Sequence, residues 1–259
     1  AAFEGALRAA DPAALRALFR DDAHWRDLLA FGWAIRTISG AGNVVEALQR
    51  HGAGSGASGF EIEARRTPPR RVTRAGVEVT EAIFRFETTL GRGQGVLRLF
   101  DDGKAWTLLT ALDEIKGHEE RTGSRRPHGE VYSRDFRGPN WLDKRKAASA
   151  YADRDPVALI VGGGHAGLSI AARLRQLGVE ALIVDRHPRV GDNWRRRYHA
   201  LTLPNQVHVN PLPYLPFPAN WPVYIPKDKL AGWFEAYAEI MELDYWTGTE
   251  FTGGQYDER

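Results

Sequence analysis

The run Gly162-Gly163-Gly164-His165-Ala166-Gly167 fits the spacing G-x-G-x-x-G. That spacing suits one task, holding a diphosphate against backbone. The first glycine makes a tight turn, the second lets the backbone approach the anion, and the third lets the next helix lie close. A helix starting here offers free N–H groups and partial positive charge to phosphate oxygens. Asp185 closes the next apolar run after that helix. At that place a carboxylate can accept hydrogen bonds from the ribose hydroxyls of an adenosine. A dinucleotide is the ligand this set implies; the bland alternative is a purely structural glycine turn.

The elements needed to position these residues are present. Val157 to Val161 is a continuous apolar run after Pro156, as expected for a parallel strand buried on both faces. Leu168 to Leu177 reads as an amphipathic helix stopped by Gly178. Ala181-Leu182-Ile183-Val184 reads as a second buried strand closed by Asp185. His165 is expected to contribute only its backbone N–H.

The residues that follow resemble the FAD-binding segment of flavin-containing monooxygenases, on the YUCCA-like side. Asp185 is followed nine residues later by Trp194, in Gly191-Asp192-Asn193-Trp194, similar to the Gly-Gly-x-Trp turn of that family. Asp192 replaces its second glycine. Leu212-Pro213-Tyr214-Leu215-Pro216-Phe217-Pro218 resembles its Leu-Pro-x-x-Pro-Phe-Pro run, and Tyr224 to Tyr237 its next segment, leading into a helix. Tyr198-His199-Ala200 stands where Baeyer–Villiger enzymes carry Tyr-Pro-Gly.

The resemblance spans about residues 155 to 256. It implies FAD as cofactor, held by Gly162, Gly163, Gly164, His165, Ala166, Gly167, Asp185, Arg186, Asn193, Trp194, Asn205 and Gln206. Asn205 would be the active-site amide, although Pro204 replaces the small hydroxyl residue usual before it. Arg195, Arg196 and Arg197 either line an anionic cofactor or solvate their loop. The implied activity is NADPH- and O2-dependent oxygenation through a C4a-hydroperoxyflavin. The substrate would be a small N- or S-containing nucleophile or a 2-oxo acid. NADPH would bind a second dinucleotide fold; no second G-x-G-x-x-G occurs between Asp185 and Arg259. The expectation is therefore an N-terminal portion of a longer enzyme, inactive by itself. Rival readings are an NAD-dependent dehydrogenase, a pyridine-nucleotide disulfide reductase, and a non-catalytic binding or dimerisation module.

Residues 1–116 read as helices followed by a sheet. Asp11-Pro12 is a helix start, and a third short helix is expected over Asn43 to Gln49. Trp25 to Ser39 reads as strand with breaks. Glu81 to Glu87, Gly95 to Phe100 and Ala105 to Leu112 read as strands of an antiparallel meander. Leu90-Gly91-Arg92-Gly93 reads as a turn and Asp102-Gly103 as a hairpin turn. This α+β order resembles the NTF2-like (SnoaL-like) cone, a sheet around a pocket, with a homodimer as one possibility. Within it His24, Trp25, Arg26 and Asp27 could do acid–base work at a pocket mouth, or form a rim ion pair over a core Trp25. Residues 117–153 read as a linker with a helix from Trp141 to Tyr151 behind an Asn140 cap. Residues 154–259 read as an incomplete α/β Rossmann-type FAD-binding domain.

Composition narrows the remaining classes. The 259 residues are 43% hydrophobic and 26% charged, as in globular proteins. There is no cysteine, so no disulfide, thiolate metal site or redox pair exists in this span; no metal site is expected. With 35 basic and 33 acidic residues, the chain has no global field to attract nucleic acid. No stretch approaches the roughly 20 apolar residues of a membrane span. No secretory signal is visible, and a cytoplasmic location is expected.

Overall fold

A computed structural model describes residues 1–127 and 137–257. It divides into two units, Ala1–Glu119 and Glu120–Arg259.

The first unit opens with α1 (Ala2–Arg8) and α2 (Pro12–Ala17). Asp11 caps α2, its Oδ1 accepting from Ala13 N–H at 2.9 Å and Ala14 N–H at 3.0 Å. Strand β1 (Phe19–Leu28) turns back as β2 (Ile35–Ser39), and α3 (Ala41–Ala47) follows, continued by a wider turn over Leu48–Gly52. Then come β3 (Ser58–Ile62), β4 (Arg70–Arg74), β5 (Val77–Glu87), β6 (Gly91–Leu99) and β7 (Ala105–Ile115). The strand order is β2-β1-β7-β6-β5-β3, with β4 also on β5. Leu7, Leu15, Val44 and Leu48 from the helical segments pack with Phe19, Trp25, Phe84, Phe86 and Leu108 from the strands. The helices thus cover one face of the sheet, and burying those large side chains supplies its cohesion.

Three expectations for this unit need correction. The sheet is mixed, not antiparallel throughout, because β1 runs parallel to β7. Trp25 to Ser39 is a hairpin whose first strand begins at Phe19. Gly91 and Gly93 are strand residues, not a turn. A Cβ on Gly93 would collide with the Phe86 ring and the Ala111 carbonyl, and one on Gly95 with the Phe84 ring and the Leu109 carbonyl. The glycines make room for rings on the neighbouring strand. The Asp102-Gly103 hairpin is present, with Gly103 at φ +76° and Lys104 N–H donating to Asp102 Oδ1 at 2.9 Å.

The second unit includes α4 (Trp141–Ser149), opened by a reciprocal Asn140–Asp143 capping box. Next are β8 (Ala158–Val161), α5 (His165–Gln176), β9 (Ala181–Asp185), α6 (Asp192–Arg195), β10 (Thr202–Gln206), β11 (Tyr224–Pro226), α7 (Lys227–Ile240) and β12 (Asp244–Thr247). β8, β9 and β12 form a parallel sheet in the order β12-β9-β8. β10 and β11 form a separate antiparallel pair. Leu168, Ala171, Ile183, Leu230, Phe234 and Tyr237 make the core under α5 and α7.

Burial on both faces holds for β9, where Leu182, Ile183 and Val184 are at most 5% exposed. It fails for β8, where Leu159 is 48% and Val161 59% exposed. β8 is the edge strand of the order above, and α5 covers only the face carrying Ile160.

Candidate dinucleotide site

The turn out of β8 is built as its glycines require. Gly162 sits at φ +96°, in the left-handed region that an L side chain resists. Its N–H donates to Val184 O at 2.9 Å, tying the turn to β9. A Cβ on Gly167 would fall on the Gly162 carbonyl oxygen, so only glycine lets α5 come this close. The first intrahelical bond runs from Leu168 N–H to Gly164 O at 3.0 Å. The amides of His165, Ala166 and Gly167 precede it and point out of the helix end, available to an anion.

Asp185 ends β9 beside this turn and is 9% exposed. Its Oδ2 accepts from Gly163 N–H at 2.8 Å. Its Oδ1 accepts from His187 N–H at 2.8 Å and lies 2.8 Å from His187 Nδ1. Burial pushes the Asp185 carboxyl up, but the His187 and Gly163 amides and the His187 ring outweigh it. The net pKa lies below the ordinary aspartate range. Tyr245, on β12, also bonds Asp185, and burial followed by that carboxylate raises its phenol pKa. Its ring lies over Gly163, where any Cβ would overlap it.

On the other side of the helix N-terminus, the His165 ring stands edge-on to Phe234 and Trp194, at centroid distances of 4.6 and 5.6 Å. Burial lowers its pKa and keeps the imidazole neutral. Asn193 lies beside Gly164, its amide nitrogen 3.3 Å from where a Cβ would stand. His165 Nε2, Asn193 Oδ1 and Trp194 Nε1 are buried and have no hydrogen-bond partner. Buried polar atoms are nearly always paired. Three such atoms grouped at an anion-receiving helix end fit a site that a polar ligand completes.

The Gly191–Trp194 turn is held from behind. Gly191 has φ +86°, and a Cβ there would strike the Ala231 carbonyl of α7. Arg195 pairs with Asp192 at 3.1 Å and Glu235 at 2.6 Å and donates to Val190 O at 2.7 Å. Lys227 is buried, its Nζ donating to Arg195 O at 2.9 Å and to Asp228 Oδ1 at 2.9 Å. Arg195 is thus a tie between loop and helix, while the Arg197 guanidinium stands 5.5 Å over the Trp194 ring.

No side-chain contact links the other expected residues to this cluster among the described residues. Arg186, Asn205 and Gln206 are exposed. Asn205 and Gln206 end β10, and both their backbone carbonyls accept from Asn210 Nδ2. Tyr198 and His208 are likewise exposed. Sequence reasoning missed Tyr245 and Lys227. Their signals were faint: a Tyr in the third strand, and a Lys after Pro226.

In the first unit the His24–Asp27 pair is split. Residues three apart in a strand face opposite sides. His24 is exposed, its Nδ1 2.8 Å from Ser39 Oγ, and Arg26 donates to Thr37 Oγ1 at 3.0 Å. Trp25 and Asp27 are fully buried. Trp25 Nε1 donates to Thr110 Oγ1 at 3.0 Å, and that hydroxyl donates to Asp27 Oδ1 at 2.7 Å. Phe31 N–H donates to Asp27 Oδ2 at 3.1 Å. Burial raises the Asp27 pKa. His24 and Asp27 therefore cannot work on one substrate atom, and no rim ion pair joins them.

Residues 160–217 match the family described as NAD(P)-binding Rossmann-like domain. The second unit thus contains a Rossmann-like nucleotide-binding fold. At the level of particular proteins, the chain is similar to indole-3-pyruvate monooxygenase YUCCA1 of Oryza sativa subsp. japonica. The two are 38% identical over 98 residues, 38% of this chain and 24% of that protein. It is also similar to a CzcO-like oxidoreductase of Geobacillus kaustophilus, 34% identical over 92 residues, 36% of this chain and 26% of that protein. The chain spans about a quarter of the length of these relatives. Among solved structures, a flavin-containing monooxygenase from Stenotrophomonas maltophilia aligns at 24% identity and TM-score 0.32, covering 34% of this chain and 27% of that one. A steroid delta-isomerase from Pseudomonas aeruginosa aligns at 19% identity and TM-score 0.29, covering 44% of this chain and 77% of that one. At those scores neither likeness fixes a fold.

Proposed function

We propose that the second unit is the FAD-binding portion of an NADPH-using flavin monooxygenase. The observation that carries this is the glycine turn with its helix end, braced by Asp185 and ringed by the unpaired His165 Nε2, Asn193 Oδ1 and Trp194 Nε1. The similarity to indole-3-pyruvate monooxygenases and the Gly191–Trp194 turn favour FAD over a bare nicotinamide nucleotide.

In this reading the His165, Ala166 and Gly167 amides receive the diphosphate. Asp185 holds the Gly163 amide and offers its remaining lone pairs to the ribose. Asn193 and Trp194 meet the cofactor from the side, and Arg186 stands at the outer edge. Bound flavin supplies reduction by NADPH and reaction with O2. The protein's part is to orient it and exclude water. Asn205 and Gln206 belong to the proposal as residues near the reacting atoms. The substrate class is a small N- or S-containing nucleophile or a 2-oxo acid; indole-3-pyruvate, named in the relatives, is of the latter kind. An NTF2-like first unit that forms a homodimer belongs to the same reading.

FAD titration into the purified chain, followed by absorbance near ~450 nm and by flavin fluorescence, tests the assignment. Saturable one-to-one binding that NADH does not displace supports it. Binding of NADH with no affinity for FAD overturns it in favour of a dehydrogenase-type fold.

A further inference from the structure

The first unit carries a candidate site of its own. A cavity of about 470 Å³ lies between the β1–β2 loop, the β5–β6 turn and the wider turn that continues α3. That volume falls within the roughly 300–1,000 Å³ of small-molecule sites. Leu29, Trp33 and Leu90 line it and are nonetheless 40%, 64% and 58% exposed. Single exposed apolar side chains need no explanation, but three around one hollow mark a binding surface.

The backbone is strained to place one of the three. Leu29 sits at φ +65°, in the left-handed region that an L side chain resists. Such strain persists where the surroundings hold it, and it clusters at ligand sites. Here the buried Asp27 accepts from Phe31 N–H at 3.1 Å, and Ala34 N–H donates to Gly32 O at 2.7 Å. The loop is thus fixed in shape from within the protein.

Most polar groups of the lining are already engaged. Thr88 Oγ1 accepts from Gly91 N–H at 3.0 Å, Ser55 Oγ donates to Gly52 O at 2.6 Å, and the Arg50 guanidinium pairs with Glu46. His51, also in the lining, differs. It is half-buried, its ring makes no hydrogen bond among the described residues, and both ring nitrogens remain open to solvent. Burial lowers its pKa. Arg36, which stands across from Asp27 in the β1–β2 register, and then Arg50 lower it further, while Asp27 opposes them in part. The ring is therefore neutral, with one donor and one acceptor to offer. A hydroxyl can meet either nitrogen, since it both donates and accepts. No carboxylate lines the cavity among the described residues.

We infer that this cavity binds an uncharged aromatic molecule bearing a hydroxyl, its ring against Leu29, Phe31, Trp33 and Leu90 and its hydroxyl on the His51 imidazole. The inference does not depend on the flavin assignment, because it concerns the other unit.

Calorimetry on the whole chain tests it with three probes: 4-ethylphenol, ethylbenzene and 3-phenylpropionate. The phenol is expected to bind roughly two- to ten-fold more tightly than ethylbenzene, as suits one neutral hydrogen bond. The charged acid should bind more weakly than the phenol. His51→Phe keeps a ring but no polar atom; it should erase the phenol's advantage and leave ethylbenzene bound. Leu90→Asp, at an exposed position, should weaken both uncharged probes roughly ten-fold, and it covers the case in which His51→Phe fails to fold. Equal affinity for phenol and ethylbenzene overturns the inference, and so does tighter binding of the acid. Phenol binding that Leu90→Asp leaves intact also overturns it, and would place the ligand in the cavity of about 300 Å³ lined by Phe3, Phe19, Phe60 and Phe84. Self-association that Leu90→Asp abolishes, with no probe bound, overturns it in favour of a contact between copies of the chain.

Discussion

Replacing Asp185 tests whether the glycine turn is held by its strand-end acid. Asp185→Ala removes the acceptor for Gly163 N–H and His187 N–H, each now bonded at 2.8 Å, and the partner of His187 Nδ1. A buried donor left unmet costs about 1–3 kcal/mol. The Gly163 amide lies under the Tyr245 ring and bears that cost in full, whereas His187 is half-buried and water recovers part of its share. The expected loss is about 2–4 kcal/mol, large against a typical total of about 5–15 kcal/mol. Asp185→Asn keeps one carbonyl acceptor and should lose about half as much. The sign with pH is fixed by the lowered pKa of Asp185. The native state binds this proton less tightly than the unfolded chain does. Its contribution is therefore full above the ordinary aspartate value near 3.8 and is lost as pH falls through the lower native value. Urea unfolding followed by tryptophan fluorescence, at pH 7 and at acid pH, measures both effects. Asp185→Ala as stable as the parent at pH 7, or with an acid sensitivity that matches the parent's, would refute this account of the turn.

The remaining expectations are shorter. Gly167→Ala sets a methyl on the Gly162 carbonyl; it should cost about 1–3 kcal/mol and abolish FAD binding, read by melting temperature and titration together. Gly95→Ala should destabilise the first unit by a similar amount through the Phe84 ring and the Leu109 carbonyl. Adding Phe84→Leu should recover only the part due to the ring, as a double-mutant cycle would show. Asp27 has a raised pKa, so its native form binds the proton more tightly. Its contribution to stability is full below about 3.8 and shrinks as pH rises through the higher native value. The difference in stability between the parent and Asp27→Asn should change in that sense across acid pH, opposite to Asp185. Glu81 has a pKa pulled down to about 2, first by the hydrogen bond from Arg74 and then by Arg98 against a burial cost. Glu81→Gln should therefore lower stability at neutral pH and have little effect below that value, checked by urea midpoints.

What the sequence disclosed was what local backbone decides. Gly162, Gly167 and Gly178 hold a turn, a close approach and a helix stop within one strand–helix unit, and Asp102-Gly103 and Asp11-Pro12 are equally local. What it hid depends on partners far along the chain. Gly93 looks like part of a turn until Phe86 lies opposite it in β5, and Gly95 gives room to Phe84 in the same way. Arg36 looks like any surface arginine until the β1–β2 register sets it across from an Asp27 that is already engaged. Val157 to Val161 has the apolar run of a central strand; among the described residues it has one strand neighbour, β9. The His24–Asp27 reading needed only the period of two, and it failed because the strand was started too late, at Trp25 instead of Phe19. Tyr245 lies far beyond Asp185 in the chain, and only the parallel pairing of β12 on β9 brings it over Gly163.

The unpaired atoms add an energetic argument for a ligand to the one the motif makes. His165 Nε2, Asn193 Oδ1 and Trp194 Nε1 each forgo a hydrogen bond inside the protein, at about 1–3 kcal/mol apiece. A turn kept for structure alone would gain by apolar substitution at each of these positions. A turn kept for a polar ligand recovers the cost on binding. Binding to the native state alone also raises stability with ligand concentration, by about 2.7 kcal/mol at a hundred times Kd. The same reasoning separates these three atoms from the Lys227 ammonium, which is already paired within the protein and holds the turn in shape before any ligand arrives; Asp185 also braces the turn and keeps lone pairs over for a ligand.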